Sequence, residues 1–413
     1  MTATIEGGSA RFDRVQWRNT ADVLAAAVAA TIPWSTSVSL IAIALWLIAL
    51  LPTLRPEELR DVMRHPAAFV PVALVALAAV GMLWADVPWR DRLDGFGPFA
   101  RFLLLPLLFV QFRNSDRWRW LFAAFLFSCT LLMVVSFAGI ALGTKVPWQF
   151  KTYGVPVRDY ISQSGEFILC AAGLIYVATA AWGERRTNLL IGASALAALF
   201  LVNVAFVAPS RTALVTIPVL FALFAITQCR LKAMLAFLAA IAVLCATVWF
   251  SSTKVRERLI AIVTEVQTHE TSDVPTSAGL RVDFWRQSIH VIQAAPVIGH
   301  GTGAMRASLA RAAVAEGKRP TVNPHNQSFT IAIQLGFVGM LFLVAMWSAH
   351  GAIFLRGTGL VAWVGLAIVA QNFVGCLFNN HLFDFTQAWI YVFGVGAAGG
   401  ALLAQTQGAK APS

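Results

Sequence analysis

Charge is what this sequence has least of. Only 12% of its 413 residues are Asp, Glu, Lys or Arg, where soluble domains carry about 25%. That deficit excludes an ordinary water-soluble domain. The five cysteines (Cys129, Cys170, Cys229, Cys245 and Cys376) lack CxxC spacing and sit in or beside apolar stretches. They read as small core residues, with neither a disulfide framework nor a zinc site. The short alternating segments of a membrane barrel are missing too, as is any repeat at a fixed period. The first 20 residues hold Glu6, Arg11, Asp13, Arg14 and Arg18 and no apolar run. This is no cleavable signal peptide and is expected to be a short cytoplasmic leader.

What the chain has in abundance is hydrophobic length. Apolar residues make up 58% of it and run on through stretches such as Val70 to Leu83 and Leu189 to Val207. A bilayer span takes roughly 20 such residues, and lipid requires each span to satisfy its own backbone, so the spans are expected to be helices. The expected class is an all-α integral membrane protein with about twelve transmembrane helices and one long loop. The helices are expected near 21–33, 35–53, 67–85, 97–112, 118–142, 162–182, 187–207, 210–228, 232–250, 326–354, 357–379 and 384–405. Residues 1–250 then form an N-terminal bundle of about nine helices. Residues 251–325 form the loop, and 326–413 supply about three further helices.

The formal charge of +11 points to membrane orientation and not to nucleic acid. With the N-terminus inside, inner segments hold 15 Lys and Arg and short outer loops hold 6. Both termini are therefore expected in the cytoplasm, with 143–161, 208–211, 251–325 and 380–384 outside. Within the long loop, Ser277 is placed to cap a helix reaching about 294, with Val282, Trp285, Ile289 and Ile292 on one face. Thr302 is placed to cap a second, from Gly303 to about Glu316, with Met305, Leu309 and Ala312 recurring. Such amphipathic helices are expected to lie on the membrane or roof a cavity.

Charges at a membrane edge are functional suspects, because burying them is costly. Arg211, in Pro209-Ser210-Arg211-Thr212, falls at an expected helix N-terminus, where the macrodipole disfavours a cation unless an anion shares the site. The bland alternative is an arginine snorkelling to lipid headgroups. Arg281, in the stretch Gly279 to Arg286, opens the first loop helix. Its guanidinium suits a phosphate, though taken alone it reads more readily as a solvated loop arginine, paired with Asp283 or nothing. His325 stands before the tenth span, where the helix dipole lowers its pKa below about 6.5 and favours a neutral, proton-accepting ring. Asn326 beside it is placed to meet a sugar hydroxyl or an oxyanion.

From His325 to Gly339 the chain reads His-Asn, nine residues, Gly-x-x-Gly, a pattern its composition gives by chance less than about once in a thousand such chains. The two glycines are expected to let membrane helices approach closely. His-Asn-x9-Gly-x-x-Gly after a long outer loop, with an upstream arginine at a helix start, resembles the O-antigen ligase and polymerase superfamily. That superfamily also includes bacterial O-linked oligosaccharyltransferases. The resemblance is carried by Arg211, by Arg281 within Gly-x-Arg-x3-Trp, and by His325-Asn326. Asp384, in His381-Leu382-Phe383-Asp384, is similar to a late acidic position of the family, and equally a plain cap for the last helix.

The resemblance implies a glycosyltransferase of the Gram-negative inner membrane, working on the periplasmic side. It would move O-antigen from undecaprenyl pyrophosphate to lipid A–core. Arg211 and Arg281, helped by Arg286, would stabilise charge on the pyrophosphate, and His325 would act as base or orient the acceptor. Paired carboxylates for a glycosyl-enzyme route are lacking, which implies inversion. With no Asp-x-Asp pair, the expectation is a metal-independent enzyme without a cofactor. The alternatives are an O-antigen polymerase, an O-linked protein oligosaccharyltransferase or, in another class, a lipid-linked glycan flippase. A flippase would show inverted repeats and mid-membrane charges. Symmetric halves are not visible, and the deeper charges are Arg101, expected to snorkel inward, and Glu166.

Overall fold

The computed structural model describes residues 13–143, 154–251, scattered positions between 253 and 267, 277–315, 317, 321 and 323–408. Every regular element among them is helical. The helices in the first half are α1 (Arg14–Thr31), α2 (Thr36–Leu50), α3 (Pro56–Met63), α4 (Pro66–Gly81), α5 (Trp89–Ala100), α6 (Leu104–Arg113), α7 (Trp118–Leu142) and α8 (Tyr160–Gly183). Then come α9 (Thr187–Val202), α10 (Arg211–Gln228), α11 (Leu231–Ser251), α12 (Ser277–Ala294), α13 (Met305–Ala315), α14 (Gln327–Arg356), α15 (Gly359–Cys376) and α16 (Phe385–Gly408).

Nine helical stretches among the described residues are long and apolar enough to cross a membrane, or ten if the bent pair α3–α4 counts as one span. This is a multi-pass membrane protein. Helices stand at each expected segment, but not all qualify as spans. The expected first span coincides with α1, which carries Arg14, Arg18 and Asp22 and is too polar. The expected third coincides with α4, which meets α3 at 93°. Most of the α16 window, 89%, is buried, packed against α6 and α15.

Backbone accounting explains several buried polar side chains, because an unpaired carbonyl inside a bilayer costs several kcal/mol. Pro71 lies inside α4 and has no N–H for the Ala67 carbonyl one turn earlier. His350 of α14 fills that gap, its Nε2 lying 2.8 Å from the Ala67 oxygen. A carbonyl only accepts, so Nε2 carries the proton and Nδ1 accepts from the Tyr391 hydroxyl at 2.7 Å. Asp22 is likewise buried but supplied with donors: Gln111 Nε2 at 2.8 Å and Ser115 Oγ at 2.7 Å.

The two loop helices form, with a difference in how the second begins. Thr302 does not cap α13. Its N–H and hydroxyl donate to Gly81 O at 3.0 Å and Ala78 O at 2.7 Å, closing the end of α4. Leu309 is buried against Val291 and Ile333, with Met305 and Ala312 alongside, so α12 and α13 pack on each other and on α14.

The Gly-x-x-Gly glycines do something other than bring two helices together. Gly336 has φ 60° and ψ −156° and interrupts α14. Any Cβ there would overlap the Val297 carbonyl. The break is spliced by the loop before α13. Ile333 O and Gln334 O accept from His300 N (2.8 Å) and Gly301 N (2.9 Å). Phe337 N and Val338 N donate to Pro296 O (2.8 Å) and Val297 O (3.2 Å). Two helical bonds are thus replaced by four bonds to the loop, which pair the four groups that those helical bonds would have used. Gly339 packs against Leu335 and Ile331 of its own helix.

Candidate functional site

His325 sits in a tight turn built by asparagines. Asn380 Nδ2 donates to Asn323 Oδ1 at 2.9 Å, and the same oxygen accepts His325 N at 2.8 Å. This holds His325 at φ 51°, a left-handed conformation that side-chain-bearing residues seldom adopt and that clusters at functional sites. Asn326 follows as the N-cap of α14. Its Oδ1 accepts Ser328 N at 2.9 Å and Phe329 N at 3.2 Å, and its Nδ2 donates to Leu377 O at 3.0 Å. The amide of Asn326 is thereby engaged by the protein as a cap.

Helix α12 addresses this turn with three residues on one face, spaced i, i+3, i+4. Trp285 Nε1 donates to Pro324 O at 3.0 Å. Phe284 stacks with the His325 ring at 6.4 Å between centroids and 24° between planes. Arg281 supplies positive charge. Burial, then Arg281, pushes the His325 pKa below its usual value, the expected direction but with burial in place of the helix dipole as the leading cause. Burial and the neighbouring Arg211 lower the Arg281 pKa in turn, opposed by Tyr160 and Glu265.

Arg211 is the first residue of α10, and Ser210 caps that helix by accepting Ala213 N at 3.1 Å. A π-helical stretch, Asn203–Val207, brings α9 to this cap, a distortion frequent at functional sites. The anion beside Arg211 is a carboxylate of the chain itself: Nη2 lies 2.5 Å from Glu265 Oε1. No sequence motif marks Glu265, 54 residues away. Arg286 is more exposed and pairs loosely with Asp283 at 3.9 Å.

The loop between α15 and α16 completes the site. Asn379 Nδ2 donates to Thr212 Oγ1 at 3.2 Å, tying this loop to the start of α10. Thr330 Oγ1 donates to Asn380 Oδ1 at 3.0 Å, and Leu382 N donates to Gln327 Oε1 at 3.2 Å. Arg101 does not snorkel to the opposite surface. Its Nη1 donates to the Phe383 and Asp384 carbonyls at 3.2 and 3.1 Å, bracing the turn. Asp384 makes no side-chain cap, and its carboxylate lines the cavity, reached by solvent yet surrounded by protein on its other sides. The surrounding protein, then Asp159, raises its pKa to about 6, with Arg101 opposing. His381 is fully enclosed against Gly375, and neither ring nitrogen has a partner. Its burial lowers the pKa to about 4.

These residues enclose a cavity of about 520 Å³ lined by Arg158, Asp159, Ser162, Asn323, His325, Asn379, Asn380, His381, Asp384 and Gln387. Of the residues expected from sequence, His325 and Asp384 share this wall. Arg281 acts electrostatically on His325, and Arg211, paired with Glu265, acts on Arg281. Arg158, Asn323, Asn379 and Asn380 were not expected. Asparagines carry no motif of their own, although three of them beside the two flanking histidines are the one hint available.

The class this defines is a multi-pass helical membrane protein with a polar, histidine-bearing cavity at one end of its bundle. Residues 196–344, about a third of the chain, match the family model described as O-antigen ligase, so this segment is similar to the O-antigen ligase superfamily. The matched segment contains Arg211, Arg281, His325 and Gly336, while Arg158 and Asp384 lie outside it. No curated protein matches the chain.

Proposed function

We propose that the protein is an O-antigen ligase of the Gram-negative inner membrane, with the His325 cavity opening to the periplasm. It takes O-antigen from undecaprenyl pyrophosphate and joins it to lipid A–core. The observation that carries this reading is His325, held in a left-handed turn at a polar cavity and braced by the helix that bears Arg281.

In the proposed step an acceptor hydroxyl oxygen attacks the anomeric carbon of the donor sugar. The bond from that carbon to the pyrophosphate oxygen breaks, and undecaprenyl pyrophosphate leaves with the electron pair. His325 takes the hydroxyl proton, for which a neutral imidazole is required. Asp384, in its ionised form, stabilises the imidazolium that results. Arg281 and Arg211 stabilise charge developing on the leaving group, Arg211 by exchanging its Glu265 partner for phosphate. A single displacement inverts the anomeric centre, and the arginines serve without a metal.

The test is transfer in proteoliposomes supplied with lipid-linked O-antigen and either lipid A–core or short lipid-linked O-units. His325→Ala and Arg211→Ala are each expected to lower turnover by about 100-fold or more. Near wild-type turnover in both variants refutes the site assignment. Extension of O-units in place of lipid A–core makes the protein a polymerase, and flux of intact lipid-linked glycan without transfer makes it a flippase.

A further inference from the structure

The most unusual cation of the cavity wall is Arg158, which no motif marks and the proposed chemistry does not use. Its φ of 58° places a second side-chain-bearing residue of this cavity in the left-handed region, a conformation that clusters at functional sites. It directly precedes Asp159, whose carboxylate caps α8 by accepting Ile161 N and Ser162 N, both at 2.9 Å. The guanidinium lies over the Phe385 ring, 4.7 Å from its centre, and Nη1 donates to Thr386 Oγ1 at 2.6 Å. Ring and hydroxyl fix the plane of the group.

The remaining edge is the informative one. Nε and Nη2 are buried and have no acceptor in the protein. Together they form one side of the planar fork, the side that matches two oxygens of a carboxylate or phosphate at once. Arg211, by contrast, has Glu265 on its guanidinium. The cavity that Arg158 helps to line also presents Asn379, Asn380, Gln387 and Asp384, a mixture of donors and acceptors suited to sugar hydroxyls. Gln387 Nε2 is itself buried without an acceptor. A fork for phosphate beside groups for hydroxyls describes a glycosyl phosphate.

We propose that Arg158 is the phosphate anchor of the donor, its Nε–Nη2 edge taking two oxygens of the lipid pyrophosphate. The sugar next to that pyrophosphate then lies among Asn379, Asn380 and Gln387. This assignment rests on the reading of the protein as a user of lipid-pyrophosphate donors. Membrane phosphatidylglycerol carries phosphate chemistry too, so the experiment separates the two sources.

The protein is reconstituted in nanodiscs of phosphatidylethanolamine, with or without phosphatidylglycerol, and titrated with undecaprenyl pyrophosphate. Transfer by each variant is measured in parallel. Arg158→Gln is expected to weaken binding about 10- to 100-fold, the range for hydrogen bonds to a charged group. Arg158→Lys keeps the charge but loses the fork and is expected to fall between. Thr386→Val, which only loosens the guanidinium, is expected to lose less than Arg158→Lys. His325→Ala is expected to bind the lipid normally while failing to transfer. Binding by folded Arg158→Gln within about twofold of wild type overturns the anchor. If that variant does not fold, the same result for Arg158→Lys overturns it. Equal competition by phosphatidylglycerol also overturns it, as a headgroup contact. If Arg158→Gln binds normally and His325→Ala is still inactive, the anchor falls and the ligase reading stands. If wild-type protein neither binds nor transfers, that reading falls and takes the anchor with it.

Discussion

At the scale of single residues, His325 and Asp384 have their proton affinities moved in opposite directions. Burial and Arg281 lower the first, while burial and Asp159 raise the second to about 6. As pH falls through 6 the carboxylate takes up its proton, while burial and Arg281 work against charge on the imidazole. If ionised Asp384 supports the base, turnover should drop roughly tenfold from pH 8 to pH 5, following the carboxylate. Asp384→Asn should lower the plateau and remove the carboxylate's share of the acid limb. A limb unchanged in Asp384→Asn would remove that carboxylate from the reaction. His325 and Asn326 were legible in sequence because they flank an apolar run at a telling spacing. The pairing of Arg211 with Glu265 was not, since it joins residues across the long loop.

Elements tell a similar story of periodicity read well and interruptions read poorly. Apolar length located the helices, because a bilayer enforces it. The bend between α3 and α4 follows from Pro66, but a proline marks only that a bend is possible and gives no angle. Pro71 stays inside α4 because His350, 279 positions later in the chain, donates to the orphaned Ala67 carbonyl. The relation can be measured by a double-mutant cycle. His350→Leu should cost about 2 kcal/mol in thermal unfolding of detergent-solubilised protein, as for a buried acceptor stripped of its donor. In a Pro71→Ala background the restored N–H should reduce that cost by about 1 kcal/mol. Additive effects would show that His350 acts on something other than the proline gap.

For the whole molecule, the residues that line the cavity come from the start of α8, the turn before α14, and the loop before α16 with that helix's first turn, while Asn379 ties in the start of α10 and Phe284 of α12 stacks on His325. Their shared end of the bundle was visible in sequence through alternation of spans and loops. The cavity was not, because Arg158, Asn323 and Asn379 meet only through tertiary packing. The excess of basic residues on alternate loops predicts both termini on the cytoplasmic side. Reporter fusions at residues 1 and 413 should both be active only in the cytoplasm. A periplasmic signal from either end would reverse the face to which the cavity opens.

The four-bond splice at Gly336 also has a history in biosynthesis. Residues 296–301 are made before 327–356, yet the splice needs both. While the later segment enters the membrane, Phe337 and Val338 can still bond Ile333 and Gln334 as an unbroken helix, in which one glycine costs only about 1 kcal/mol. The interruption arises when the loop arrives and the same four groups change partners. Maturation of this region should therefore trail synthesis. In pulse-labelled membranes, protease resistance of residues 277–315 should appear in a second phase, after the full-length chain is complete. Resistance that appears together with completion would mean that the interrupted helix enters the bilayer already spliced.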